Sequence, residues 1–177
     1  MLPSRHFIDL TQPEIAQQLK KNPLVVLPAG SVEQHGPHLP TGTDIYASQV
    51  IGHAVAERMD GLLLPATPFG VTPMHMPFEG TITLTPETYI RVITETAAST
   101  AKHGAKYLLI INWHEGNIPS LAIASEALHR ELQALRASGI AGAHRRRGKR
   151  RNIKPTNKNA AELERWVETR HEKLNEG

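Results

Sequence analysis

Leu24-Val25-Val26-Leu27-Pro28-Ala29-Gly30-Ser31-Val32-Glu33-Gln34-His35-Gly36-Pro37-His38-Leu39-Pro40-Thr41-Gly42-Thr43-Asp44 joins two kinds of sequence whose junction decides the fold. The run Leu24 to Leu27 is short and continuously apolar and stops at Pro28 and Gly30, as expected of a strand covered on both faces. The stretch from Ser31 to Asp44 holds Glu33, His35, His38 and Asp44, all donors for a divalent cation, in backbone that its Gly and Pro residues keep irregular. Donors collected in such a loop mark a site.

Further along the chain the same junction recurs. Tyr107-Leu108-Leu109-Ile110-Ile111 reads as a buried strand, and it runs into Asn112-Trp113-His114-Glu115-Gly116-Asn117. Leu62 to Ala66 is a further apolar strand. The loop after it carries Pro68, Gly70, Pro73, Pro77 and Gly80, and also holds Met74, His75, Met76 and Phe78. A connection of that length inside a compact domain is a functional or moving loop. Thr81 to Leu84 reads as a small extended segment.

Helices fall between these strands. Thr11, Pro13 and Glu14 form a helix start, with Ile15 and Leu19 on one face, and the helix continues to about Lys21. Helical spacing runs from Ile45 to Met59 and ends at Asp60-Gly61; Thr85-Pro86-Glu87 opens a helix to Lys102; a further one covers about Pro119 to Ala137. Strand and helix alternate, which predicts an α/β fold, a three-layer sandwich with a mainly parallel sheet flanked by helices.

A chain of 177 residues suits one core. The predicted domain covers 1–139. Residues 140–177 are read as a basic tail with a terminal amphipathic helix from Ala160 to Leu174. Seven cationic residues between Arg145 and Lys154 outweigh the net charge of +3, so the basic balance is local and nucleic-acid binding is not expected of the domain. No apolar run approaches the roughly 20 residues of a membrane span, and the N-terminus lacks the pattern of a secretory signal. The absence of cysteine excludes disulfides and thiolate metal sites. The expected location is cytoplasmic.

Ligands of open α/β sheets bind beyond the carboxyl ends of the strands, where both donor clusters lie. Glu33 and His35, two residues apart, share a side of an extended backbone, and Asp44 can return to them from the start of the next helix. With His114 they make two carboxylates and two imidazoles, a set that suits Zn, Mn or Fe. A bridging carboxylate would allow two divalent ions per chain. Read singly, Asp44 is also a helix cap, His38 a loop histidine and Glu33 a solvated charge. His6, His53, His103, His129 and His171 read as surface or helix residues.

The stretch Gly30 to Pro40 with Thr43-Asp44, then Phe78-Glu79-Gly80-Thr81-Ile82, His103-Gly104 and Asn112 to Asn117, resembles the creatininase (creatinine amidohydrolase) family in motif and order, over about Leu24 to Leu135. The resemblance implies a layered α/β fold, a dinuclear metal centre and hydrolysis of a cyclic or linear amide, often by a homohexamer. By position it gives Glu33 and His114 to one metal, His35 to the other, and Asp44 to both. His38 becomes a supporting residue.

Two departures accompany it. Creatinine-hydrolysing members place a glutamate for the second metal where this chain has Gly116. The family's later His-Ala-Gly segment, which carries the acid/base histidine, has no equivalent after Gly139, where Ala141-Gly142-Ala143-His144 is a poor imitation. The chain therefore reads as a shortened member with a divergent C-terminus. Glu115 is the candidate catalytic acid/base, since a carboxyl beside the metals is suited to proton transfer. Trp113 and His75 are candidate substrate-binding residues for a small-molecule amide, with the loop from Phe69 to Phe78 as lid. Rival readings keep the metals and change the substrate to a formamide, a peptide or a sugar-derived ring, or make the chain an impaired metal-binding subunit whose tail meets an acidic partner or RNA.

Overall fold

A computed structural model describes residues 3–137, with side chains to 130. The expected tail over 140–177 lies outside the described residues. The elements run α1 (Gln12–Lys21), β1 (Leu24–Ala29), α2 (Thr43–Arg58), β2 (Leu62–Leu63), α3 (Pro86–Lys102), β3 (Tyr107–Asn112) and α4 (Ile118–Ala137), with short 3-10 turns between some of them.

Local chemistry sets the helix starts. Glu14 closes a capping box on Thr11 before α1, accepting from the Thr11 backbone N–H at 2.8 Å. Thr85 accepts from the Thr88 backbone N–H before α3, and Pro occupies the first turn of both helices. Helix α2 starts at Thr43, two residues before the apolar spacing begins, and its N-cap is Gly42 without a side-chain cap bond. Asp44 thus sits inside the first turn and is not the cap. Its carboxylate is free for other partners and lies at the positive end of the helix dipole.

The strands form one parallel sheet in the order β2-β1-β3, with Val25 opposite Leu62 and Leu24 opposite Tyr107. Alternate residues of each strand face opposite layers. Val25, Leu27, Leu62, Leu108 and Ile110 pack on Leu19 of α1, Tyr89 and Ile93 of α3 and Ala124 of α4. On the other face Leu24, Val26, Leu63, Leu109 and Ile111 meet Val55, Ala56 and Met59 around α2. This is the expected three-layer α/β arrangement.

Three strand expectations are corrected. Strand β1 is the fully buried one, whereas β3 begins at an exposed Tyr107 and is otherwise half-buried. Among the described residues β3 pairs with β1 alone, so one of its edges lacks the neighbour that completes burial. Strand β2 is only two residues long because Pro65 removes a ladder donor just beyond it. The extended segment at Thr81–Leu84 is reduced to isolated bridges, Ile82 with Val32 and Thr83 with Gly70. No helix among the described residues is long and apolar enough to cross a membrane.

From β1 the chain crosses by α2 over one face to β2, then returns by α3 over the other face to β3. Consecutive connections leave to opposite faces on either side of β1, which opens a crevice above its carboxyl end. Ile93 carries much of the opposite layer and is fully buried. Ile93→Ala should cost about 2–5 kcal/mol, read from the midpoint of denaturant unfolding.

Candidate functional site

Four of the expected ligands converge in this crevice. Glu33, Asp44 and His114 are all buried, and one ligand atom from each lies within 4.8 Å of the other two. His114 Nδ1 is 3.1 Å from Asp44 Oδ2 and 3.4 Å from Glu33 Oε2. On the far side of the same carboxylate, His35 Nε2 is 3.2 Å from Asp44 Oδ1. Asp44 thus offers one oxygen to each imidazole.

The outer nitrogens decide what the inner ones present. His114 Nε2 lies 3.0 Å from the Val71 carbonyl and His35 Nδ1 lies 3.0 Å from the Glu33 carbonyl. A carbonyl only accepts, so in each neutral ring the proton is held on the outer nitrogen. The inner nitrogens then aim lone pairs at Asp44, and that of His114 also at Glu33. Acceptors converging on acceptors repel unless a cation or a proton lies between them. The donor set, two carboxylates and two imidazoles without thiolate, fits a divalent ion of the Zn, Mn or Fe group.

Electrostatics agree with that geometry. Burial, and then the neighbouring Glu33 carboxylate, push the Asp44 carboxyl above its ordinary range, while His35 and His114 oppose the shift. Glu33 is held by the Thr72 hydroxyl, which donates to Oε2. His114 is also held through its backbone: the Asn112 side-chain amide donates to its carbonyl at 2.7 Å, and Asn117 N–H donates to the same oxygen at 3.2 Å.

The remaining expected residues lie round this centre. Glu115 follows His114 in a 3-10 turn, where its carbonyl accepts from the Ile118 N–H and its exposed side chain has no hydrogen bond or ion pair among the described residues. Trp113 is 51% exposed, and its backbone N–H donates to the Ala29 carbonyl at the end of β1. His75 sits in the short turn Pro73–His75, with Nδ1 3.0 Å from Gln34 Nε2, which ties the long loop to the metal-donor loop. His38 is exposed and outside the cluster. Of the histidines read as peripheral, His6 and His53 stack with ring centroids 5.0 Å apart.

Three contributors had no assigned role in the sequence: Thr72, Asn112 and Asn117. The two asparagines flank His114 within one short polar stretch, which is the signal that pointed to them. Thr72 stands in a loop of many threonines and prolines, and nothing local distinguishes it.

The creatinine amidohydrolase (Creatininase) family matches this chain over residues 8–174. A mycofactocin precursor peptide peptidase of Mycobacterium ulcerans (strain Agy99) is 37% identical over 126 residues, covering 66% of this chain and 47% of that protein. A creatinine amidohydrolase of Pseudomonas putida is 30% identical over 122 residues, covering 66% and 46%. Among solved structures, one titled "Creatininase Mn" superposes with a TM-score of 0.71 at 27% identity, over 77% of this chain and 54% of that one. The chain thus spans about half the length of the curated relatives it matches. Motif order, parallel sheet and family match agree, and the chain belongs to the creatininase family of hydrolases.

Proposed function

We propose that the chain is a metal-dependent amidohydrolase whose crevice holds two divalent ions, with Glu33 and His114 on one, His35 on the other and Asp44 shared. The observation that carries this reading is the pair of imidazoles whose outer nitrogens are occupied by the Glu33 and Val71 carbonyls, so that their inner lone pairs face opposite oxygens of Asp44. When bound, such ions supply Lewis-acid polarisation of a carbonyl and activation of water near neutral pH. The relatives' names, an amidohydrolase and a peptide peptidase, support an amide C–N bond as the target.

The chain's own residues then have separate tasks. Asp44 and Glu33 neutralise cation charge inside a buried pocket. The Val71 and Glu33 carbonyls keep both rings in the ligating tautomer, as partners of ligating histidines commonly do. Glu115, exposed beside His114, would carry a proton to the leaving nitrogen. Trp113 and His75 flank the metal-donor loop as substrate-binding residues, the indole as an apolar wall and His75 held in place by Gln34.

Metal analysis of the purified chain after equilibration with Zn²⁺ or Mn²⁺ tests this reading, with hydrolysis of a panel of cyclic amides, formamides and peptides followed before and after chelation. Two ions per chain and chelator-sensitive hydrolysis are expected. One ion would mean that the His35 half is incomplete, and no bound ion would overturn the reading.

A further inference from the structure

We infer that Asn117 is a positioning residue that orients the Glu33 and His114 half of the site through residues 71 and 72. Asn117 is fully buried, and its side-chain amide is fully engaged. Oδ1 accepts from the Val71 N–H at 2.9 Å, and Nδ2 donates to the Gly30 carbonyl at 3.0 Å and to Asn112 Oδ1 at 3.2 Å. Those three partners belong to the segments at the carboxyl ends of β2, β1 and β3 respectively. One side chain therefore ties together every strand end that bounds the crevice.

The tie reaches the proposed ligands by short covalent steps. Val71, fixed at its N–H by Asn117, uses its carbonyl to hold His114 Nε2. The next residue, Thr72, donates its hydroxyl to Glu33. Two of the three clustered ligands are thus aimed by consecutive residues, the first held at its N–H by Asn117 and the second donating its own N–H to the Thr83 hydroxyl. Its third partner, Asn112, also holds the His114 carbonyl, so His114 is gripped at ring and backbone by groups bonded to one amide.

The packing leaves space for nothing else. A Cβ on Gly70 would lie 2.7 Å from Asn117 Oδ1 and 2.6 Å from the Gly30 carbonyl. A glycine lets the three segments close on the amide. His35 takes its orientation from the Glu33 carbonyl instead, outside this network.

This inference rests on the metal reading, and its test uses Co²⁺ as a spectroscopic probe of the full chain. Co²⁺ absorbance titrations are made well below the unfolding temperature on wild type, Asn117→Ala, Thr72→Val and the core control Ile93→Val. Asn117→Ala should bind Co²⁺ about 10–100-fold more weakly and with an altered ligand-field spectrum. Thr72→Val, which removes only the hydroxyl donated to Glu33, reads the same route from its far end and should lose about tenfold. Ile93→Val, which loses stability away from the site, should titrate as wild type does.

Wild-type affinity in either site variant overturns the inference, and so does an equal loss in Ile93→Val, which would make the effect one of general stability. If Asn117→Ala does not fold, Thr72→Val decides. A wild-type chain that takes up no Co²⁺ overturns the metal reading itself, a result distinct from a wild type that binds and a variant that binds equally well.

Discussion

Asp44→Asn should abolish uptake of both ions and at the same time make the ion-free protein more stable. The loss follows from geometry: Asp44 lends one oxygen to the His35 side and the other to the His114 side, and among the described residues no other carboxylate is paired with both imidazoles. An amide nitrogen replaces one of these acceptors and cannot ligate. The gain follows from electrostatics: Asp44 and Glu33 are both buried with acceptor nitrogens facing them, an arrangement favourable only around a cation or a proton. Removing one charge should raise ion-free stability by about 1 kcal/mol.

The sign of the pH dependence is fixed by the direction of the shift. Asp44's carboxyl is raised above 3.8 in the fold, so its ionised form penalises the folded state at neutral pH. That penalty is full above the raised value and fades as the pH falls through it towards 3.8. Thermal midpoints in chelator should place Asp44→Asn above wild type at pH 7, with the gap closing on acidification. A variant that keeps two ions per chain would sink the bridging assignment, and one less stable than wild type in chelator would sink the electrostatic argument.

Gly116→Ala should be nearly as damaging at the metal site, although it adds one methyl. A Cβ there would stand 2.3 Å from the Val71 carbonyl oxygen and 2.5 Å from His114 Nε2, the two atoms of the bond that orients the ring. Neither atom belongs to a flexible side-chain end, so the backbone or the imidazole must shift. Loss of that bond should weaken metal binding by at least about 10–100-fold, with about 1–3 kcal/mol of overpacking strain. Calorimetric metal titration and unfolding in chelator separate the two effects. Wild-type affinity would show that the loop yields without cost. Gly116→Glu meets the same collision, so restoring the glutamate of creatinine-hydrolysing relatives is not expected to build a second-metal ligand in this loop.

The sequence showed where the polypeptide becomes polar, and that was enough to place most of the candidate site. Leu24 to Leu27 is apolar without alternation, and Glu33, His35 and His114 stand in backbone that Gly and Pro make irregular, so strand ends and donor loops were readable locally. Asp44 was readable as a donor although its helix starts earlier than apolar spacing suggests, because Gly42 rather than a polar cap precedes the first turn. Burial of β3 was overestimated for a different reason: an apolar run records what a strand can bury, and how much it does bury depends on its neighbours. Thr72 was beyond reading because its importance lies in a distant partner, Glu33, and the polar stretch that holds Asn117 was readable while its bonds to the distant Gly30 and Val71 were not.

The chain contains no cysteine, yet its proposed ligands come from segments far apart in sequence. An ion held jointly by Glu33 and His114 would close a long loop spanning α2, β2, α3 and β3. Coordination would then serve as a reversible cross-link, lowering the entropy of the unfolded chain in the manner of a disulfide wherever the ligands stay attached. In that role, metal supply would govern the lifetime of the folded domain as well as its chemistry.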